Sequence, residues 1–416
     1  MARLDLIIFG ATGFTGKHVV KQLASNVIHN YPDLKWGVAG RSMTKLEAML
    51  QEITDQIEGD ITSVKKIEAN VKDEESLREM CLQCKVLVNC CGPFRLYGEP
   101  VVRAAVGAHT HYVDVSGEPQ FIEQMQLDYD DKAREAGVYV ISACGFDSIP
   151  NDLGVIYLQK QFCGTLNSVE SYISASNDVE TSGFINYGTW ETLIHSLAHY
   201  HELPALRKKL YPDRLPPLEP KLKPRWPVHR RGRLWCVPFP GADASVVYRT
   251  QRRLLRAART RPAQIRTYAC FPSLLAALGA LLLAALLFAL SRWAASRALL
   301  LRQPERWSLG AVARGPAERA HARTRFAVRL YGRGWAAGAD PRAEPDRALC
   351  VQVSGADPGY GMTALGVLYS ALTVLCEKDK MPECGVLTTG YAFKDTSIIR
   401  LLDENNIKFE IINRYD

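Results

Sequence analysis

"DLIIFGATGFTGKHVV", residues Asp5–Val20, decides the fold of this chain. Leu6 to Phe9 are four consecutive apolar residues, the pattern of a strand buried on both faces. They run into Gly10, and Gly13 and Gly16 follow at three-residue intervals, opening a helix-compatible stretch from Phe14. Glycine belongs where a backbone turns sharply and must approach a pyrophosphate, and a helix N-terminus adds free amides and a positive dipole end. A strand, this glycine spacing and a helix, in that order, read as the opening of a dinucleotide-binding unit. The expected cofactor contacts here are Gly10, Thr12, Gly13, Phe14, Thr15 and Gly16.

The same form repeats outward. "WGVAG" (36–40), "VLVNCCG" (86–92), "HYVDVSG" (111–117) and "VYVISACG" (138–145) are apolar runs ending in glycine. Helical patterns lie between them, at 14–24, 43–53, 74–82, 100–106 and 119–136, with Ser42 and Asp73 as N-caps. Alternation of this kind predicts an α/β chain: a doubly wound parallel sheet of Rossmann type over residues 1–155, then an α+β domain over 156–416. In the second part "VESYISA" (169–175), "RFAVRLYGRGW" (325–335) and "LCVQVSG" (349–355) read as strands. The stretch 358–377 reads as a long helix continuing that domain. His195 and His199 share a helix face, but no second ligand pair accompanies them, so no metal site is expected.

The second apolar run ends "AGRS". An acid at that place holds the ribose hydroxyls of NAD, whereas arginine accommodates the 2′-phosphate of NADP. Arg41 stands there, so NADP(H) is expected over NAD(H), with Ser42 as a hydroxyl contact or simply a helix cap. Ligands of such folds sit beyond the carboxyl ends of the strands. That directs attention to "NCCGPFRLYGEP", "DVSGEP" and "ACGFDSIPNDLG". Cys91 and Gly92 are expected against the cofactor. Tyr97, Asp114 and Asp147 are the candidate proton donors for hydride chemistry, with Glu118 and the thiols of Cys90 and Cys144 as further candidates. Asp114, Ser116 and Asp147 have a strong structural role as the alternative, as helix caps or turn braces.

Bulk properties narrow the class. A chain of 416 residues, 47% hydrophobic and 23% charged, is globular. Charged Arg3 and Asp5 precede the first strand, a pattern unlike a secretory leader, and the 11 cysteines lack framework spacing. The net charge of +7 is uneven: seven arginines and no acid fall between Ala244 and Pro272. "SLLAALGALLLAALLFAL", Ser273–Leu290, follows at once: nine Leu, six Ala, and one each of Ser, Gly and Phe. The pair reads as a lipid-contacting element whose arginines meet anionic headgroups, and no nucleic-acid recognition motif accompanies the basic cluster.

As one helix, 18 residues reach about 27 Å against a hydrocarbon core of about 30 Å. A single crossing would part the strands on its two sides, and arginines flank both ends. The expectation is a one-sided anchor inserted in the second domain. It either lies in the interface or enters and returns on one face, reaching about 13 Å deep. A wholly buried core helix is the alternative.

The stretches "FGATGFTG", "AGRS", "GPFRLYGEPVV", "DVSGEPQF", "GFDSIPNDLG", "EPKLKPRWP", "SVVYRTQR", "GYGMTALGVLYSALTVL" and "GVLTTGYAF" resemble the saccharopine dehydrogenase family along essentially the whole chain. The resemblance implies a Rossmann domain, NAD(P)-linked oxidoreductase activity and association with lipid droplets or membranes. It does not imply lysine metabolism, since the soluble enzymes of that pathway carry no such leucine-alanine run. Bacterial trans-acting enoyl reductases of glycolipid synthesis belong to the same family. The expected function is thus hydride transfer to a lipophilic carbonyl, imine or enoyl substrate by a protein on a lipid monolayer or membrane surface facing the cytoplasm. A small-molecule or lipid-linked substrate and a second copy of the chain are the expected partners. A non-enzymatic NADP-binding lipid-droplet scaffold or redox sensor is the rival from another class.

Overall fold

The computed structural model describes residues 2–177, 185–213, 215, 217–313 and 324–415. Within the proline-rich stretch 210–227, Arg214 and Pro216 lie outside the described residues. The chain opens with β1 (Leu4–Phe9), β2 (Trp36–Gly40), β3 (Lys65–Glu68), β4 (Cys84–Asn89), β5 (His111–Asp114) and β6 (Tyr139–Ile141). They form a parallel sheet in the order β6-β5-β4-β1-β2-β3, reversing direction of growth beside β1. The helices joining them start and stop close to the positions the sequence predicts, except the one expected at 100–106, which begins at Phe94, and Ser42 and Asp73 accept the capping bonds of theirs. The strand missed in the sequence is β3, "KKIE", where only Ile67 is buried. An edge strand with one buried residue leaves no apolar run to read.

The remaining strands are β7 (Gly164–Asn177), β8 (Ile185–Asn186), β9 (His229–Arg231), β10 (Leu234–Pro238), β11 (Gln264–Phe271), β12 (Val312–Ala313), β13 (Thr324–Ala336), β14 (Arg347–Ala356), β15 (Gly385–Leu387) and β16 (Lys408–Tyr415). A second, mixed sheet runs β16-β14-β13-β7-β11-β10-β9, and β8 pairs with β12 alone. Strand β15 leaves this part of the chain and pairs with β6, completing the first sheet with a seventh parallel strand. The helix Thr363–Cys376 does likewise. Instead of continuing the second domain it packs on β4, β5 and the first helix, α1 (Phe14–Gln22), and every residue from Thr363 to Val374 is buried. An element apolar on all sides needs cover on all sides, and only the space against the first sheet supplies it.

The two sheets share one core. The helix Ile149–Gln161 leaves the first sheet and packs on β13 and β14, so closely that a Cβ on Gly154 would lie 2.4 Å from Leu330 Cδ1. A continuous apolar cluster runs from Leu6 and Ile8 through Leu153 and Val367 to Leu330 and Val353.

The apolar segment is one unbroken helix, Leu274–Ser291, capped by Ser273 Oγ, which accepts from the Ala276 amide at 3.1 Å. No proline interrupts it and Gly279 alone does not break it, so the mid-segment return considered above does not form. The buried-core alternative does not form either. Leu275 is 82% and Leu282 70% exposed, and the helix buries only Ala277, Leu287 and Ser291. Strand β11, just before it, and β13, further along the chain, both pair with β7, so the chain on its two sides joins one sheet.

Candidate active site

The glycine turn packs backbone on backbone. Gly10 takes φ +76° and donates its amide to the Ala39 carbonyl at 3.0 Å. A Cβ on Gly16 would sit 2.2 Å from the Gly10 carbonyl oxygen, and one on Gly10 3.1 Å from the backbone of Cys90 and Cys91. Gly13 precedes α1 and offers no capping side chain, and the first turn carries no acid. The amides of Thr15 and Gly16 in that turn have no place in the helix's own bonding and suit a ligand.

A cleft of about 470 Å³ opens there, lined by Gly10, Thr12, Gly13, Arg41, Asn70, Lys72, Cys91, Gly92, Tyr97 and Glu191. Arg41 and Lys72 follow the ends of β2 and β3, which pair with each other. Two cations with no carboxylate at the end of β2 suit a ribose phosphate. The glycine cradle, free amides and cation pair fit NADP, and these residues would hold it. Gly16 lies beneath the turn, and the Phe14 ring packs edge-on against Tyr360, 4.4 Å between centres. Half-buried Thr15 is not among the lining residues, and Ser42 caps the next helix, its Oγ accepting from the Lys45 amide at 3.4 Å.

Asp147 lines a second cavity, of about 450 Å³, with Phe146, Thr189, Asp357, Tyr360 and Thr363. The cavity keeps its carboxyl open to solvent, yet protein mass surrounds it and the desolvation raises its pKa. The loop after β5 closes on it: a Cβ on Gly117 would lie 2.5 Å from Asp147 Oδ2. One helix, Tyr187–Ala198, serves both cavities, giving Thr189 to this one and Glu191 to the cleft.

The structure does not bring Asp114 to either cavity. It is fully buried, and its Oδ1 accepts from Ser116 N (2.9 Å), Ser116 Oγ (2.7 Å) and Ala143 N (3.0 Å), while Oδ2 accepts from Ser142 Oγ (2.8 Å). Burial raises its pKa against those four bonds. Fully buried and holding these four bonds, Asp114 braces the ends of β5 and β6.

Glu118 is a cap acting from a distance. Its carboxylate accepts from Phe94 N (2.7 Å) and Arg95 N (3.0 Å), at the start of a helix whose preceding residue, Pro93, has no capping group. Burial pushes its pKa up to about 7. Burial likewise raises the thiols of Cys90, Cys91 and Cys144, which stay neutral. His195 and His199 stack with centres 6.3 Å apart, and among the described residues no group of three metal-ligating side chains forms.

Sequence reasoning missed Lys72, Asn70 and Glu191. Lys72 lies just past a strand end beside β2, where the rule that located Arg41 also points, but the strand itself was invisible. Glu191 comes from the second half of the chain and carries no local signal.

Residues 6–141 match the family model of the saccharopine dehydrogenase NADP binding domain. The chain is 35% identical to the human saccharopine dehydrogenase-like oxidoreductase over 98% of its own length and 97% of that protein's. It is 37% identical to the Caenorhabditis elegans lipid droplet localized protein over the whole of both chains. Among solved structures, the apo saccharopine dehydrogenase (L-Glu forming) of Saccharomyces cerevisiae superposes with a TM-score of 0.55 at 15% identity, covering 99% of this chain and 100% of that one, a likeness of fold. The chain therefore belongs to the saccharopine dehydrogenase family, among its saccharopine dehydrogenase-like oxidoreductases, and its N-terminal sheet is an NADP(H)-binding domain.

Proposed function

We propose that the protein is an NADP(H)-dependent oxidoreductase working at a lipid surface on a lipophilic carbonyl, imine or enoyl substrate. The observation that carries this reading is the seat of the helix Tyr187–Ala198. Thr189 and Glu191 wall the two cavities, while Trp190 and Ile194 of the same helix cluster with Leu287 of the exposed apolar helix. The wall of the reaction site thus rests on the element suited to lipid. The strands on its two sides, β11 and β13, both pair with β7, which supports a helix lying along a surface rather than crossing it. Arg292, Arg302 and Arg306 after it are exposed and suited to headgroups, whereas Arg266 donates to the Leu222 carbonyl and Arg297 to that of Ser291. The name of the nematode relative agrees with such a location.

When bound, the cofactor supplies a hydride. The partner requirement is a proton for the atom opposite, and the carboxyl of Asp147, on the wall of its cavity, is the group to donate it. Its raised pKa leaves a larger share in the acid form than an unperturbed aspartate would keep. Tyr97, on the wall of the cleft, is the second hydroxyl in reach of a bound nicotinamide nucleotide.

The test follows NADPH absorbance with lipid-droplet extracts as substrate. Asp147→Asn should lower turnover by about 10²-fold or more with NADPH binding intact. Wild-type turnover should fall as pH rises through the Asp147 pKa, because the acid form is the active one. NADPH binding with no oxidation on any extract would favour the scaffold reading instead.

A further inference from the structure

A cavity of about 420 Å³ lies among the helices Pro119–Glu135, Leu203–Leu210 and Asp243–Ala258. None of its lining residues lines the NADP cleft or the Asp147 cavity. Arg207, Arg249 and Arg252 line it against a single carboxylate, Glu123. Arg207 already satisfies that carboxylate, donating from Nε at 2.9 Å and Nη2 at 2.7 Å, and Ser245 Oγ adds a bond at 2.6 Å.

Arg249 and Arg252 are left with charge and donors in excess. Arg249 is 3% exposed; its Nε donates to Gln126 Oε1 at 2.5 Å, and its Nη2 has no partner among the described residues. Asp152 acts on Arg249 only through space, its Oδ2 being held by Thr250, Thr389 and Gly390. Arg252 donates from Nη2 to the Asp213 carbonyl at 2.5 Å and lies 4.1 Å from the centre of the Tyr211 ring, with Nε unpartnered. The buried Tyr211 hydroxyl is unpartnered too. Buried donors without acceptors, two of them on guanidinium groups, are costly, and an anion with several oxygens removes that cost. The forked donors of arginine match phosphate oxygens.

The rim is of another character. The exposed Tyr200, Phe239 and Tyr248 line it, and the Tyr200 ring meets Phe288 of the apolar helix edge-on, 6.3 Å between centres. We infer that this cavity binds a phosphate group, either free or as the headgroup of a lipid whose apolar part leaves over the Tyr200–Phe288 rim. The phosphate site stands whether or not the protein reduces a lipid, because it shares no residue with the reaction site.

The experiment uses the full chain saturated with NADPH, so that phosphate cannot report on the cleft. Inorganic phosphate should raise the melting temperature of wild type and of Arg41→Ala alike. Arg252→Gln and Arg249→Met should weaken that effect by about tenfold or more, the loss of one charge-assisted hydrogen bond. In phosphate-free buffer Arg249→Met should melt no lower than wild type, since it removes a buried charge with no hydrogen-bonded counter-ion among the described residues. The lipid arm compares flotation with phosphatidylcholine vesicles with and without phosphatidic acid. A preference for the acidic vesicles that Arg252→Gln abolishes identifies a headgroup. Protection by inorganic phosphate with no vesicle preference identifies a soluble phosphate ester in the same site. No effect of phosphate on wild type, or an undiminished effect in Arg252→Gln, overturns the inference.

Discussion

Arg41 and Lys72 follow paired strands and line one cleft, so two cations rather than one stand where a 2′-phosphate is expected. Arg41→Ala should weaken NADPH binding by about 10- to 100-fold, the worth of a hydrogen bond to a charged group, and leave NADH binding nearly unchanged. Equal losses in a fluorescence titration of the two cofactors would reject the assignment. Asp152 permits a second test. It is fully buried, its Oδ1 has no partner, and burial pushes its pKa up to about 6 from 3.8. A raised folded-state pKa means that the native state binds the proton more tightly. Its contribution is full below about pH 4 and is lost as pH rises through about 6. Asp152→Asn keeps an acceptor for Thr250, Thr389 and Gly390 and puts its amide where Oδ1 lacked a partner. It should raise stability near pH 7.5 by on the order of 1–3 kcal/mol and leave it little changed near pH 4, as read by urea denaturation. At this scale Arg41 and the glycines were legible, because each occupies a place that one chemistry demands. Asp114 was not. A carboxylate after a strand looks the same in sequence whether it faces a cavity, as Asp147 does, or accepts four bonds inside the fold.

The helix Leu274–Ser291 shows what an element can reveal. Its length, apolarity and flanking arginines were legible, and so was the expectation that strands on its two sides share one sheet, as β11 and β13 do through β7. Whether it would bend back or run straight was not, since a leucine-alanine run is compatible with both. Its faces now differ in consequence. Leu275→Lys with Leu282→Lys alters exposed positions and should change stability by no more than about 0.5 kcal/mol while abolishing recovery with lipid droplets. Leu287→Ala empties a buried contact with Trp190 and Ile194 and should cost about 2–5 kcal/mol in thermal or urea unfolding. Undiminished droplet recovery of the double lysine variant would remove the lipid-surface reading.

For the whole molecule, the division at residue 155 describes the order of the chain better than its packing. Strand β15 forms an edge of the first sheet and the helix Thr363–Cys376 covers β4 and β5, so the NADP-binding sheet is finished by the last part of the chain. A fragment of residues 1–155 should therefore lack cooperative unfolding and a native near-ultraviolet circular dichroism spectrum, and should not bind NADPH. A chain ending at Cys376 should behave similarly, having lost both β15 and β16. A cooperatively folding 1–155 fragment would show the first sheet to be self-sufficient. By itself the sequence determined the parallel α/β start, the glycine turn, the NADP preference and the existence of an apolar element. Each follows from local rules: apolar runs, the conformational demands of glycine and the charge at a strand end. Only tertiary structure decided which acid reaches a cavity, which strand closes the first sheet and which helix walls both cavities. Those outcomes depend on contacts between segments far apart in the chain, where buried area and hydrogen-bond satisfaction are shared across both halves and no local pattern records them.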